Sequence, residues 1–158
     1  MSSFFYVLED EARILFVDDD PILREFAQVN LASGSARIDV AGDGLEALEA
    51  MKTGDYDLLL VDLEMPRMDG FQLLEHLRAD PRTRHLPVVV ETGREDVVAI
   101  DRAFQLGATS FVTKPLNWRL LSYQLRFILR AARAEGALRE DRADAGAAAE
   151  RPALQGVG

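Results

Sequence analysis

The chain has 158 residues, 48% of them hydrophobic and 28% charged, which is enough apolar material for one domain with a core, or one domain and a tail. Its formal net charge of −9 at pH 7 disfavours direct binding to nucleic acid or to an anionic membrane. Because there is no cysteine, disulfides, Cys-ligated zinc and a thiol nucleophile are excluded, and a cytoplasmic location is expected.

The N-terminal segment, residues 1–12, precedes the first periodic element and turns acidic within nine residues. It has no basic stretch ahead of an apolar one, so it does not read as a secretory signal. No apolar run in the chain reaches the roughly 20 residues needed to cross a bilayer. We therefore expect no membrane partner.

Short apolar runs alternate with runs of helical periodicity over residues 13–135. The apolar runs, which predict strands, are 14–18, 37–41, 57–62, 87–91 and 109–113. Because these runs are continuously apolar rather than alternating, the strands are expected to be buried on both faces. The pattern predicts an α/β fold, a doubly wound five-stranded parallel sheet of (βα)5 type with helices on both sides.

Aspartates precede three of the helical runs as candidate N-caps: Asp20, Asp43 and Asp69. The first helix, with Pro21 in its first turn, is expected to be carried by Ile22, Leu23, Phe26 and Val29. After about residue 140 the helical periodicity is lost, and we expect residues 136–158 to be a flexible, alanine-rich tail.

Polar side chains follow four of the predicted strands: Asp18 and Asp19, Asp62, Thr92 and Lys114. In open parallel sheets, ligands bind beyond the carboxyl ends of the strands. Clustered carboxylates repel one another unless they hold protons or share a cation, and oxygen ligands with open positions favour Mg²⁺. The pattern predicts a magnesium site at which Asp62 is the nucleophile for a phosphoryl group, Lys114 contacts its oxygens and Thr92 donates a hydroxyl.

The chain resembles the receiver domain of bacterial two-component response regulators, the CheY-like family, in four stretches: ILFVDDD, LLLVDLEMPRMDGFQLL, LPVVVETG and GATSFVTKP. The resemblance spans residues 14–129 and implies the flavodoxin-like strand order of that family. It implies that Asp62 accepts a phosphoryl group from a sensor histidine kinase or a histidine phosphotransferase. It also implies that Asp18, Asp19, Asp62 and the main-chain carbonyl of Glu64 bind Mg²⁺, and that the chain is a signalling switch rather than an enzyme.

The resemblance carries two further expectations about the site. Thr92 and Phe111 would form a switch pair, through which phosphorylation repacks the face made by the fourth helix, the fifth strand and the last helix. The peptide bond between Lys114 and Pro115 would be cis.

Three further residues near the site carry expectations of their own. Glu91 replaces an apolar strand residue, and a buried carboxylate there needs a partner or a raised pKa. Glu64 and Arg94 lie two residues beyond Asp62 and Thr92. We predict that Glu64 and Arg94 flank the pocket, pair across its mouth and hinder the attack of water on the phosphoryl group.

The last helical run carries two apolar faces. The core stripe is Trp118, Leu121, Leu125, Ile128, Leu129 and Ala132. The second face comprises Leu116, Leu120, Tyr123, Phe127, Ala131 and Ala134. Between them lie Arg119, Arg126, Arg130 and Arg133. A second apolar face predicts a partner, and we expect a homodimer through this helix. The alternative is that the N-terminal run SFFYVL folds over Leu120 and Phe127.

Other functions fit the residues less well. The last helix resembles connectors that precede diguanylate-cyclase modules, so the chain is either a stand-alone receiver or the N-terminal receiver fragment of a larger regulator. A phosphatase of the haloacid-dehalogenase type also uses Asp and Mg²⁺, but the DDDPI stretch lacks the Thr or Val of its DxDx(T/V) pattern. A flavodoxin-like FMN carrier would need a phosphate loop rich in Gly, Ser and Thr, whereas the first loop is acidic.

Overall fold

The computed structural model describes residues 11–93 and 96–155, the last eight of them as backbone. Within these ranges, the strands are Ala12–Val17 (β1), Ala36–Ala41 (β2), Leu58–Asp62 (β3), Val88–Thr92 (β4) and Ser110–Thr113 (β5). The helices are Pro21–Leu31 (α1), Gly44–Thr53 (α2), Gly70–Ala79 (α3), Val97–Gln105 (α4) and Trp118–Gln155 (α5). No helix in the described part of the chain has the length and apolar content of a membrane span.

The strands form one parallel sheet in the order β2-β1-β3-β4-β5. Every residue of β3 and β4 is buried, as expected for strands covered on both faces. One core layer lies under α1 and α5, around Phe16 and Leu125, and the other lies under α2, α3 and α4, around Leu59 and Leu74. The predicted doubly wound (βα)5 fold with an extended last helix is confirmed.

The predicted N-caps hold the first turns of three helices. The carboxylates of Asp20 and Asp43 accept hydrogen bonds from the first-turn amides of α1 and α2. Asp69 accepts from the Gln72 amide at 2.9 Å while the Gln72 side chain accepts from the Asp69 amide, which forms a complete capping box. Each such cap contributes about 1 kcal/mol and fixes where the preceding loop ends.

Of the apolar residues predicted to carry α1, Leu23 packs against the core but three others do not. Ile22, Phe26 and Val29 are 60%, 49% and 73% exposed, whereas Ala27 and Leu31 are buried. The apolar periodicity identified a stripe but not the one that the sheet covers. The small side chain of Ala27 lets α1 approach the sheet closely, and this decides the rotation of the helix.

The last helix is longer than its periodicity indicates, because α5 continues to Gln155 through the segment expected to be a flexible tail. The side chains over residues 137–147 are all exposed. Ala, Arg and Glu, which are among the best helix formers, dominate this part of the chain. The extension is therefore helical without core packing, and it runs through Gly146 and Pro152, which are weak helix formers; its flexibility stays a prediction.

Candidate functional site

Three carboxylates converge at the carboxyl end of the sheet. Oxygen atoms of Asp18, Asp19 and Asp62 lie within 4.8 Å of one another. Asp18 and Asp62 are buried, whereas Asp19 is exposed. Thr92, which is buried, and Lys114 line the same cleft of about 870 Å³. The structure thus brings together the side chains that follow the four predicted strands.

The backbone around the acids holds them in place. The amide of Asp20 donates to Asp18 Oδ1 at 2.8 Å, and the amide of Glu64 donates to Asp62 Oδ1 at 3.1 Å. Arg24 donates to the main-chain oxygen of Asp18 at 2.8 Å. Each buried carboxylate is therefore oriented by its own loop, with one oxygen occupied and the other directed to its neighbours.

Lys114 supplies a positive charge to this cluster. Its Nζ lies 2.9 Å from Asp62 Oδ2 and 3.5 Å from Asp18 Oδ2. Burial disfavours the charged amine, but the hydrogen bond to Asp62 and the charges of Asp62 and Asp18 outweigh this and raise the pKa of Lys114. Burial raises the pKa of Asp18, and the charge of Asp62 adds to the shift. The lysine therefore stays charged while the acids repel one another.

The donor set suits a hard divalent cation. Asp18 Oδ2 is buried and accepts no hydrogen bond from the described residues. All the donors are oxygens, and one of the acids is open to solvent, as expected where an ion keeps some of its waters. The three carboxylates could hold a metal ion of this class. The side chain of Glu64 is exposed at the edge of the cleft.

Glu91 is the most unusual group at the site. The sheet register pairs it with Asp62, and it is fully buried. Neither of its carboxylate oxygens has a hydrogen-bond partner among the described residues. Burial raises the pKa of Glu91 well above its ordinary value, and the charge of Asp18 raises it further. The raised pKa meets the expectation for a buried carboxylate at this position, and a proton on Glu91 would let it donate to Asp18.

Thr92 and Phe111 lie on neighbouring strands. The Lys114 amide donates to the main-chain oxygen of Thr92 at 2.8 Å, which joins the ends of β4 and β5. Phe111 is 39% exposed and packs edge-to-face on Phe104 of α4, with ring centroids 6.2 Å apart. Phe111 is therefore a surface residue between β5 and α4 in this conformation.

Two other predictions concern the loops. The peptide bond between Lys114 and Pro115 is cis, as expected. Arg94 lies outside the described residues, so its pairing with Glu64 stays a prediction.

Sequence reasoning missed the contribution of Gly70. A Cβ at this position would lie 2.6 Å from the main-chain oxygen of Asp62 and 2.8 Å from Cα of Leu63. The Gly70 amide also donates to the Leu63 oxygen at 3.1 Å. The start of α3 therefore packs directly against the end of β3 that carries Asp62. The available signal was the glycine immediately after the Asp69 cap.

Comparison with known proteins places this site in a family. The family described as response regulator receiver domain matches residues 14–126. Chemotaxis protein CheY-3 of Vibrio cholerae is 35% identical over 120 residues, which cover 75% of this chain and 92% of that protein. The transcriptional regulatory protein CseB of Streptomyces coelicolor is 32% identical over 123 residues, 78% of this chain but 51% of CseB.

A solved structure shows the same likeness. The signal receiver domain of a signal transduction histidine kinase from Syntrophus aciditrophicus has a TM-score of 0.70 and 29% identity, and the match covers 76% of this chain and 91% of that one. The chain spans about half the length of CseB and of other curated relatives that it matches. The prediction of a receiver, rather than a phosphatase or a flavin carrier, is confirmed: the chain belongs to the response regulator receiver domain family.

Proposed function

We propose that this receiver accepts a phosphoryl group on Asp62 and that the donor is the phosphohistidine of a sensor histidine kinase or of a histidine phosphotransferase. One observation carries the proposal. Asp62 lies between an ammonium at 2.9 Å and two further carboxylates, which is the arrangement needed to bind an anion beside an acidic nucleophile.

In the proposed step, a carboxylate oxygen of Asp62 attacks the phosphorus atom of the donor. The new bond joins oxygen to phosphorus, the phosphorus–nitrogen bond to the donor imidazole breaks, and the imidazole keeps the electron pair and takes up a proton from solvent. Lys114, already within hydrogen-bond distance of Asp62, neutralises the phosphoryl oxygens, and Thr92 donates its hydroxyl to them. The chain catalyses only its own phosphorylation and dephosphorylation and turns over no external metabolite.

Mg²⁺ is the proposed cofactor. Asp18, Asp19 and Asp62 would hold it with the main-chain carbonyl of Glu64. The buried Oδ2 of Asp18, which accepts no hydrogen bond from the described residues, supports this donor set. When bound, the ion would supply positive charge that reconciles the acids with an incoming phosphoryl group.

The proposed output is a change of packing next to the site. Phosphorylation adds negative charge, and the side chains of Thr92 and Lys114 move towards the phosphoryl oxygens. Phe111 then leaves its contact with Phe104. The face made by α4, β5 and α5 then changes its affinity for partners. We propose that the second apolar face of α5, with Leu116, Leu120, Tyr123 and Phe127, binds a second copy of this chain.

Two measurements test these proposals. Treatment with acetyl phosphate and Mg²⁺ should add about 80 daltons to the parent and to Asp101→Asn, which alters an exposed acid on α4, but not to Asp62→Asn. An unlabelled parent with bound Mg²⁺ contradicts the proposal. Light scattering should show concentration-dependent association that Tyr123→Glu or Phe127→Glu abolishes, and a parent that stays monomeric at high concentration ends the dimer proposal.

The length of α5 favours a second candidate, in which the chain is the N-terminal receiver fragment of a larger regulator such as a diguanylate cyclase. The helix has 38 residues, and its exposed part extends well beyond the last core residue, Leu129. A connector to a further domain would use such a helix. The mass of the native protein in cells separates the two cases, because a stand-alone receiver has 17.5 kDa.

A further inference from the structure

The outward face of α5 is apolar and exposed. Leu120, Tyr123 and Phe127 are 60%, 49% and 75% exposed. Tyr123 and Phe127 also line a cleft of about 570 Å³ between α5 and the first residues of β4 and β5, next to Pro87. Continuous apolar surface of this kind is rare on a monomer unless something covers it.

The position of Glu11 shows where the N-terminal residues reach this helix. The guanidinium of Arg133 donates a hydrogen bond to the main-chain oxygen of Glu11. The same guanidinium lies 4.0 Å from the carboxylate of Asp57. Glu11, the first described residue, therefore lies beside α5, and residues 1–10 are outside the described part of the chain.

The order of basic and apolar side chains around α5 complements the order of acidic and apolar residues that precede Glu11 in the sequence. Placed at about 100° per residue, Arg133, Arg130 and Phe127 fall at about 60°, 120° and 180° from Trp118, so an arginine flank separates Glu11 from the apolar face. The Arg126 Nε in this flank is buried and has no hydrogen-bond partner among the described residues. Moving back from Glu11, two acids come first, Asp10 and Glu9, and the apolar run 4–8 follows.

The length also matches. A chain packed on a helix follows a circle of radius about 10 Å, so the arc from the side of Arg133 to that of Phe127 is about 20 Å. The two positions are also about 9 Å apart along the helix axis, which makes the path about 23 Å. An extended chain covers it in about seven residues at roughly 3.3 Å each. Seven residues before Glu11 is Phe4, within the aromatic part of the segment.

We propose that the N-terminal segment of this chain is the cover of the α5 face. Glu9 and Asp10 lie on the arginine flank, and residues 4–8 cross Tyr123 so that Phe4 and Phe5 reach the rim of the cleft at Phe127. The segment then occupies the surface that a second copy would use. That consequence for regulation rests on the self-association proposed above, whereas the docking itself does not.

The absence of cysteine from the chain makes docking directly testable. In the full chain, Ser3→Cys is combined with Gln124→Cys, which lies in the cleft, or with Glu49→Cys, an exposed position on α2 across the sheet. A short bismaleimide should join residues 3 and 124 within one chain at least about tenfold faster than residues 3 and 49, because docking raises their effective concentration. Equal rates overturn the proposal, and so does a cross-link that joins two chains.

A second variant separates this proposal from the proposed function. Phe4→Ser combined with Phe5→Ser should remove the preference for the residue 124 pair, and a preference that persists overturns the assignment of the aromatic anchors. If self-association also holds, light scattering should show stronger association of this variant than of the parent. Loss of the preference without any association supports the docking and ends the dimer proposal. Labelling of Asp62 by acetyl phosphate is read independently by mass.

Discussion

The ammonium of Lys114 serves two buried acids at once, at 2.9 Å from Asp62 Oδ2 and 3.5 Å from Asp18 Oδ2. Asp18 follows β1 and Asp62 ends the neighbouring strand β3, whereas Lys114 follows β5 at the edge of the sheet. Because burying like charges together is unfavourable, this single cation offsets part of their repulsion in the metal-free protein. Lys114 and a divalent cation should therefore partly replace one another in stabilising the fold.

Replacing Lys114 tests that relation. We expect Lys114→Gln to lower the free energy of unfolding of the metal-free protein by about 1–3 kcal/mol, because two buried carboxylates lose their charged donor. Mg²⁺ should then stabilise this variant more than it stabilises the parent, since binding adds stability in proportion to affinity. Urea unfolding with and without Mg²⁺ measures both effects. Lys52→Gln, which removes an exposed lysine on α2, is the control. Equal magnesium increments in all three proteins contradict the prediction.

Glu91 should make the metal-free protein less stable as the pH rises. Its folded-state pKa is raised, chiefly by burial, so the folded state binds the proton more tightly than the unfolded state does. The stability that this group contributes is therefore present below its ordinary pKa of about 4.3 and is lost as the pH increases towards the folded value. Glu91→Gln carries a permanent donor for Asp18 Oδ2 and should remove this dependence.

The expected gain for Glu91→Gln is about 1–3 kcal/mol at pH 8, because the raised pKa of Glu91 makes the parent lose stability as the pH increases, and close to zero at pH 5. Urea unfolding in EDTA at the two pH values measures it. Glu75→Gln, at an exposed position on α3, should behave like the parent at both. A Glu91→Gln variant that is less stable than the parent at pH 8 would show that the buried carboxylate has a stabilising partner.

Gly70 should be required for the geometry of Asp62. A methyl group at residue 70 would overlap the main chain of β3, so Gly70→Ala must displace either α3 or the end of the strand that carries Asp62. We expect a loss of about 1–3 kcal/mol in the free energy of unfolding and slower labelling by acetyl phosphate. Gly34→Ala, where a Cβ meets no atom within 4 Å, should cause neither effect. Normal labelling of Gly70→Ala would show that the loop absorbs the methyl group.

Local signals were sufficient to predict the strands, the caps and the convergence of acids. A short, unbroken apolar run bounded by polar residues is typical of a buried strand. A parallel sheet then brings Asp18, Asp62 and Lys114 to one edge. The same local signals could not predict which side chains surround Glu91. Its place beside Asp62 depends on the register between β3 and β4, which no local pattern encodes.

The helices α1 and α5 differ from what the sequence predicts, and the two differences have different physical causes. For α1, several apolar stripes compete, and the choice between Phe26 and Ala27 is made by close packing against the sheet. For α5, the periodicity ends where the core ends, but helix formation does not require a core once a long helix has been nucleated. Periodicity therefore reports which residues are buried and not where a helix stops.

The exposed end of α5 should consequently be separable from the folding of the domain. Ala143→Pro, in the exposed part of the helix, should lower the helix content by interrupting the hydrogen bonds there. The free energy of unfolding should change by less than about 0.5 kcal/mol, because no core contact is lost. By contrast, Leu129→Ala, which is 1% exposed, should cost about 2–5 kcal/mol. Circular dichroism and urea unfolding measure the two quantities on the same samples. A comparable loss of stability in Ala143→Pro would show that residues beyond 139 pack against a part of the molecule and are more than an extension of the helix.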